Sequence, residues 1–290
     1  MDKRKRMVEI AEDTLSILEQ GYYINQRAER VEIELLLNNA IQNSVLYRPD
    51  DESKIEFDIS MREAFSPKYN TTIEVTDETS LEAMKRLSQE GYGQVACLNF
   101  ASAITPGGGF KRGSSAQEES IARSSGLFSC ISQMQEMYDH NRQLHSGFYS
   151  DYMIFSPDIP IVKDDEGALW DEPYLISFIT APAVNAAVIK DKAWNERHMI
   201  LDVMKLRIEK ILSIAILHQQ EVLVLGAFGC GVFKNEPSDV ANLFKKVLDE
   251  TRFRSAFKKI VFAVFDPTPT KENLTPFQMA FPVEVKNGSL

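Results

Sequence analysis

Apolar residues recur along this chain with two periods, one near 3.6 and one near 2, and segments of the two kinds alternate over most of its length. "RMVEIAEDTLSILEQ" (6–20) places Val8, Ile10/Ala11, Leu15 and Leu18 near helical spacing, and Gly21 follows as a C-terminal stop. "VEIELLLNNAIQNSVLY" (31–47) opens with alternating residues and continues as an amphipathic helix. The polar stretch "RPDDES" (48–53), with Pro49, then interrupts the pattern. It separates an N-terminal helical extension, residues 1–50, from a main domain, residues 51–290.

Beyond the break, strands and helices take turns. "TTIEVT" (71–76) reads as a strand, and the helix after it takes Asp77 as N-cap and ends at Gly91. "QVACLNF" (94–100) is a buried strand that runs into glycines. A helix starts near Ser114 or Ser115, with Gln117 and Glu118 available to cap it, and another covers 130–146. The segment 156–172, rich in acids and carrying Pro157 and Pro160, reads as a surface excursion. "PYLISFITA" (173–181) is a strand, and a long helix covers 191–218. "EVLVLGAFGCGVF" (221–233) is a strand feeding a second glycine loop, followed by a helix from Pro237–Ser238 to 250 and a last strand at 259–266. This alternation predicts an α/β fold, helices covering both faces of a mixed or mostly parallel sheet.

Composition narrows the picture. The chain has 290 residues and a formal charge of −10, with 42 acidic against 32 basic side chains. That excludes a generic nucleic-acid-coating protein, which would carry a basic stripe. The only dense basic run, Lys3-Arg4-Lys5-Arg6, reads as a solvated chain start. Three widely spaced cysteines (Cys97, Cys130, Cys230) make a disulfide framework or a four-cysteine metal site a poor reading and favour a reducing, cytoplasmic setting. No apolar segment is long enough to span a membrane. Four scattered histidines match no spaced metal motif, so neither metal nor cofactor is expected.

The candidate chemistry sits in the two glycine loops. Gly107, Gly108 and Gly109 follow one strand; Gly226, Gly229 and Gly231 follow another. Neither matches a P-loop or a dinucleotide fingerprint. Two such loops at strand ends nevertheless offer many unobstructed N–H groups, which suits a diphosphate and needs no lysine cluster. Seven residues after the first loop come Gln117, Glu118 and Glu119. Adjacent carboxylates on a helix point about 100° apart, so they cannot flank a bond as an ordinary glycosidase pair does. A division of labour fits better, one gripping sugar hydroxyls and one moving the proton. Two glutamates in a helix's first turn are also a common stabilising device. Cys230, between loop glycines, reads as a small packing residue.

"NFASAITPGGGFKRGSSAQEES" together with "LGAFGCGVF" resembles the bacterial-type poly(ADP-ribose) glycohydrolases, which are macrodomain enzymes; their signature is three glycines, a short spacer and Gln-Glu-Glu. The likeness extends to the first helix, to "FITAPAVN" and to "IVFAVFD". It implies a macrodomain-like three-layer α/β/α sandwich and hydrolysis of ribose–ribose O-glycosidic bonds in poly(ADP-ribose), the polymer on modified proteins being the partner. By the same resemblance Glu119 is the proton donor and Glu118 the residue that orients the leaving-side ribose. Asn99 contacts the distal ribose and Phe233 packs on it. Gly107–Gly109, Gln117, Gly229, Gly231 and Val232 belong to the substrate site. Thr105-Pro106 stands where many relatives carry Asn-Pro, which changes a ribose contact. A hydrolase of another ADP-ribosyl linkage and a non-enzymatic ADP-ribose reader remain alternatives, the second disfavoured by the paired glutamates.

Overall fold

The computed structural model describes residues 2–51, 55, 68–250 and 252–282. Glu52 and Ser53 of the polar break, and the final residues 283–290 of the expected main domain, lie outside the described residues.

Strands β3 (Val45–Tyr47), β4 (Thr72–Thr76), β5 (Val95–Phe100), β6 (Met153–Lys163), β7 (Leu169–Ala181), β8 (Val222–Leu225) and β9 (Lys259–Ala263) form one sheet in the order β3-β6-β7-β5-β8-β9-β4. The run from β7 to β4 is parallel; β6 and β3 extend it antiparallel, so the sheet is mixed. A separate two-stranded ribbon joins β1 (Tyr22–Ile24) and β2 (Arg30–Glu32).

Alternation along the central strands builds the layers. In β5, Ala96 and Leu98 face one way, with Leu223, Leu225, Ile260 and Phe262 of β8 and β9. Helices α7 (Ala186–Lys192), α8 (Ile200–Leu217), α9 (Pro237–Leu248) and α10 (Leu274–Ala280) cover that face. Val95 and Cys97 face the other way with Val222, Val224 and Val261. There they meet α3 (Ser80–Gln89), α4 (Gln117–Ser124), α5 (Leu127–Ser132), α6 (Gln135–Leu144) and Ala40 of α2 (Glu34–Gln42). A strand whose successive side chains both find apolar cover reads as a continuous apolar run, as "QVACLNF" does. The result is the macrodomain-like α/β/α sandwich.

Helix α1 (Lys3–Gln20) packs against the α4 side of this sandwich, where Ala11 and Phe110 meet Ala122. It ends at Gly21, whose φ of 78° is the left-handed cap expected there. β3, which precedes the Pro49 break, pairs with β6 at the sheet's edge.

Several elements differ from the sequence reading. Only the first half of the segment 156–172 departs from a surface excursion: 159–163 of β6 are buried and pair with β7, with a register shift between Ser156 and Ile159 that accommodates Pro157, while 164–172, which hold the turn into β7, are partly exposed. α3 is capped by Thr79, not Asp77. Thr79 Oγ1 accepts from the Glu82 N–H at 3.1 Å, and Glu82 returns a bond to the Thr79 N–H. Asp77 instead accepts from the Asp266 N–H and from Lys271. The stretch 31–47 divides into β2, α2 and β3; 130–146 divides into parts of α5 and α6; and 191–218 reaches regular helix only at Ile200, after α7 and a 3-10 turn.

Candidate active site

β5 and β8 are hydrogen-bonded neighbours, so the glycine loops that leave their carboxyl ends lie side by side. They enclose a cavity of about 600 Å³, within the ordinary range for a small-molecule site. Gly108, Gly109, Gln117, Glu118, Glu119, Gly229, Gly231, Val232 and Phe233 all line it. Asn99, Gly107 and Gly226 do not; they stand behind that wall.

α4 begins at Gln117, and each of its first three side chains does something different. Gln117 is committed to the protein. Its Oε1 accepts from the Phe100 N–H at 2.8 Å, and its Nε2 donates to the Leu98 carbonyl at 2.8 Å and to Ser80 Oγ at 3.0 Å. It therefore fixes the last residues of β5 to the start of α4. Glu118 turns inward and is buried. Its Oε2 accepts from the Ser102 N–H at 2.8 Å and its Oε1 from Asn99 Nδ2 at 3.3 Å. Burial, aided by the nearby Glu119 charge, pushes its carboxyl up to about 8, against the pull of those donors and of the Gly107 N–H.

Glu119 is half-buried and turns back toward the glycines. Its Oε1 accepts from the Gly109 N–H at 2.9 Å and its Oε2 from the Ala116 N–H at 3.1 Å. The helix's return cap is thus Glu119, not Gln117 or Glu118. Gly108 lies against both carboxylates: a Cβ there would stand 2.4 Å from Glu119 Oε1 and 3.2 Å from Glu118 Oε2. Any side chain at Gly108 would have to displace Glu119.

The second loop supplies donors. Among the described residues, the N–H groups of Gly231, Val232 and Phe233 have no protein acceptor, and a Cβ added at Gly231 would meet nothing within 4 Å. The loop is held from behind by Asn235, whose Nδ2 donates to the Val184 carbonyl at 2.8 Å and the Gly229 carbonyl at 3.0 Å. Burial pushes the Cys230 thiol up to about 12, away from the reactive thiolate, in keeping with a packing residue.

Asn99 differs from its expected placement. It is fully buried, and it bridges Glu118 and Thr180 Oγ1 rather than facing the cavity. Residues that the sequence did not single out complete the site. Ser102 and Thr180 hold Glu118 and Asn99. Tyr149 packs its ring 5.8 Å from that of Phe233, centroid to centroid. Phe265, more than half exposed, lines the cavity from the end of β9. Ser102 and Phe265 could have been found by taking every residue just past a parallel strand's carboxyl end as a candidate. Tyr149, in the middle of the irregular connection 145–152 between α6 and β6, carries no such signal.

Among the described residues no cluster of His, Cys, Asp or Glu side chains is arranged to hold a metal ion, and no helix is long and apolar enough to cross a membrane.

The family "Microbial-type PARG, catalytic domain" matches residues 11–164. Poly(ADP-ribose) glycohydrolase from Thermomonospora curvata is 40% identical, with a TM-score of 0.88 over 95% of this chain and 99% of that one. Its structure bound to the inhibitor ADP-HPD gives 39% identity and 0.86 over the same shares. Poly(ADP-ribose) glycohydrolase from Deinococcus radiodurans in complex with ADP-ribose is 37% identical, with a TM-score of 0.80 over 85% of this chain and 97% of that one. None of the curated proteins searched matches the chain.

Proposed function

The chain belongs to the microbial-type poly(ADP-ribose) glycohydrolases, and from that membership we propose that its cavity takes an ADP-ribose unit of poly(ADP-ribose) and that Glu119 drives hydrolysis of the ribose–ribose bond. The observation that carries this reading is the placement of two carboxylates with unlike surroundings against Gly108, in a cavity walled by both glycine loops.

The diphosphate lies along the second loop, where the free N–H groups of Gly231, Val232 and Phe233 donate to its oxygens. This supplies positive potential without a cationic side chain, in keeping with the acidic chain. Phe233, braced by Tyr149, packs on the distal ribose and sets its position. Glu118 hydrogen-bonds the leaving-side ribose, with Asn99 and Ser102 fixing its orientation.

Glu119 then acts twice. As the acid it gives its proton to the bridging oxygen while the bond from that oxygen to the anomeric carbon breaks. The leaving ribose departs with a hydroxyl, and the anomeric carbon carries oxocarbenium character. As the resulting carboxylate, Glu119 takes a proton from water while that water's oxygen bonds to the anomeric carbon, releasing ADP-ribose and restoring the acid. No step calls on a metal or cofactor. The physiological partner on this reading is polymer attached to modified proteins. The three buried free cysteines suit a cytoplasmic setting.

The test is release of ADP-ribose from poly(ADP-ribosyl)ated protein by the wild type and by Glu119→Gln, with folding of both verified by circular dichroism. Loss of about 10²- to 10⁴-fold in the folded variant is expected for removal of a general acid. A well-folded wild type that releases nothing would refute the assignment.

A further inference from the structure

We infer that the basic first turn of α1, together with Lys111 and Arg112, forms a track for the part of an ADP-ribose polymer on the leaving side of the bond being cut. The inference rests on the hydrolase reading above and names where the rest of the substrate lies.

The sequence isolates Lys3-Arg4-Lys5-Arg6 as the densest basic run in a chain of net charge −10. All four side chains are exposed, and the first turn of α1 contains no acid. A helix start is stabilised by acids and destabilised by cations, so helix stability does not account for this choice of residues. The fold gives a different reason by carrying the turn to the loop beside Glu119. Arg4 Nε donates to the Arg112 carbonyl at 2.9 Å. Gly113, with φ of 79°, lies so close that a Cβ there would stand 2.5 Å from the Arg4 carbonyl oxygen.

Arg112 itself lines the cavity. Its N–H donates to the carbonyl of Gly109 at 2.9 Å, and the N–H of that same glycine holds Glu119. The cations of α1 are therefore continuous with the rim of the site on the side of the proton donor. A leaving chain whose oxygen is protonated by Glu119 emerges against this rim. Each further polymer unit brings a diphosphate; Arg112 at the rim and the α1 cations, Arg4 among them bonded to it, are the charges nearest to meet it, with exposed Lys111, whose Nζ stands 4.0 Å over the Phe128 ring, beside them.

The acids nearby leave the patch positive. Asp2 accepts from the Arg4 N–H, Glu9 stands 4.0 Å from Lys5, and Arg6 donates to the Glu166 carbonyl rather than to its carboxylate. The patch is exposed, so its attraction is long-ranged and screened by salt.

The test compares a long polymer with an ADP-ribose dimer, which has one scissile bond and little leaving chain, for the wild type, for Lys3→Ser/Lys5→Ser and for Arg112→Gln. For both variants the ratio of KM on polymer to KM on dimer should rise by about three- to ten-fold. The dependence of log KM for polymer on log salt should also flatten by about one unit for the double variant. An unchanged ratio, or equal loss on both substrates, overturns the track. A wild type that cleaves neither substrate fails at the earlier step and takes the hydrolase reading with it, an outcome distinct from a wild type that cleaves both while the variants leave the ratio unaltered.

Discussion

Gly108→Ala is the most direct test of how the loop and the acids share space. The new methyl carbon would stand 2.4 Å from Glu119 Oε1, 3.0 Å from Glu119 Cδ and 3.2 Å from Glu118 Oε2. A relaxed contact needs about 3.5 Å, so Glu119 must retreat by about 1 Å. That retreat breaks its bonds to the Gly109 and Ala116 N–H groups. The side chain is flexible, so the clash is relieved at the expense of geometry rather than of folding. Alanine at φ of 57° adds about 1–2 kcal/mol of backbone strain. A misplacement of about 1 Å is worth on the order of 10² in rate. The variant is expected to lose about 10²-fold in kcat on saturating polymer while unfolding in denaturant only about 1–2 kcal/mol earlier than the wild type. Gly93→Ala serves as a control, since nothing lies within 4 Å of a Cβ there. A folded Gly108→Ala protein with kcat within a few-fold of wild type would refute the idea that the loop fixes the proton donor.

Two further outcomes follow from the surroundings of individual groups. Burial raises Glu118 from 4.5 to about 8, so between those values the folded protein holds a proton that the unfolded chain has released. Stability from this group is full below pH 4.5 and falls as pH rises to about 8, by at most about 5 kcal/mol. Glu118→Gln cannot ionise, so its melting temperature should exceed that of wild type at pH 8–9 and approach it at pH 5; parallel Tm–pH curves would show that the carboxyl is not held neutral. Arg207 is fully buried, donating to Asp151 at 2.8 Å and to the Pro182 and Phe148 carbonyls at 3.0 and 3.1 Å. Arg207→Met should lose about 2–4 kcal/mol in denaturant unfolding, short of a fully buried pair because Asp151 can regain water; a loss under 1 kcal/mol would show that the 148–151 segment stands without it.

What the sequence made legible was local. A run such as "QVACLNF" ending in glycines is readable because burial on both faces and the change at a strand's end are written in neighbouring residues. Gly21, Gly91 and Pro237 likewise mark helix ends by their own backbone chemistry. β6 was hidden because Pro157 and Pro160 ordinarily argue against an interior strand; the register shift after Ser156 takes in Pro157, while Pro160 stands in register opposite Leu175. The break at Pro49 concealed that β3 had already entered the main sheet, a pairing with residues more than 100 positions away. Within the site, the residues that touch the cavity were mostly legible from the two loops. Their supports were not. Asn99 looked like a substrate contact because it sits at a strand's end, yet its side chain reaches Glu118 and Thr180, and no spacing rule reveals which way it turns.

The two neighbouring glutamates show how one helix turn produces two different acids. A step of about 100° between successive residues turns Glu118 toward the sheet and leaves Glu119 facing the loop. Facing the sheet means burial, which raises the carboxyl's proton affinity, together with two donors at fixed positions that orient it. Facing the loop means partial exposure and two backbone donors drawn from the glycine segment and the helix start. The first environment suits a group that must hold a hydroxyl in one direction. The second suits a group that must exchange a proton with substrate and then with water, since it keeps one side open to the cavity. Reversing the order of roles would require the buried acid to reach solvent on every turnover. On the proposed mechanism the open side of Glu119 is thus what lets it move the proton, while burial keeps Glu118 in place as the orienting group.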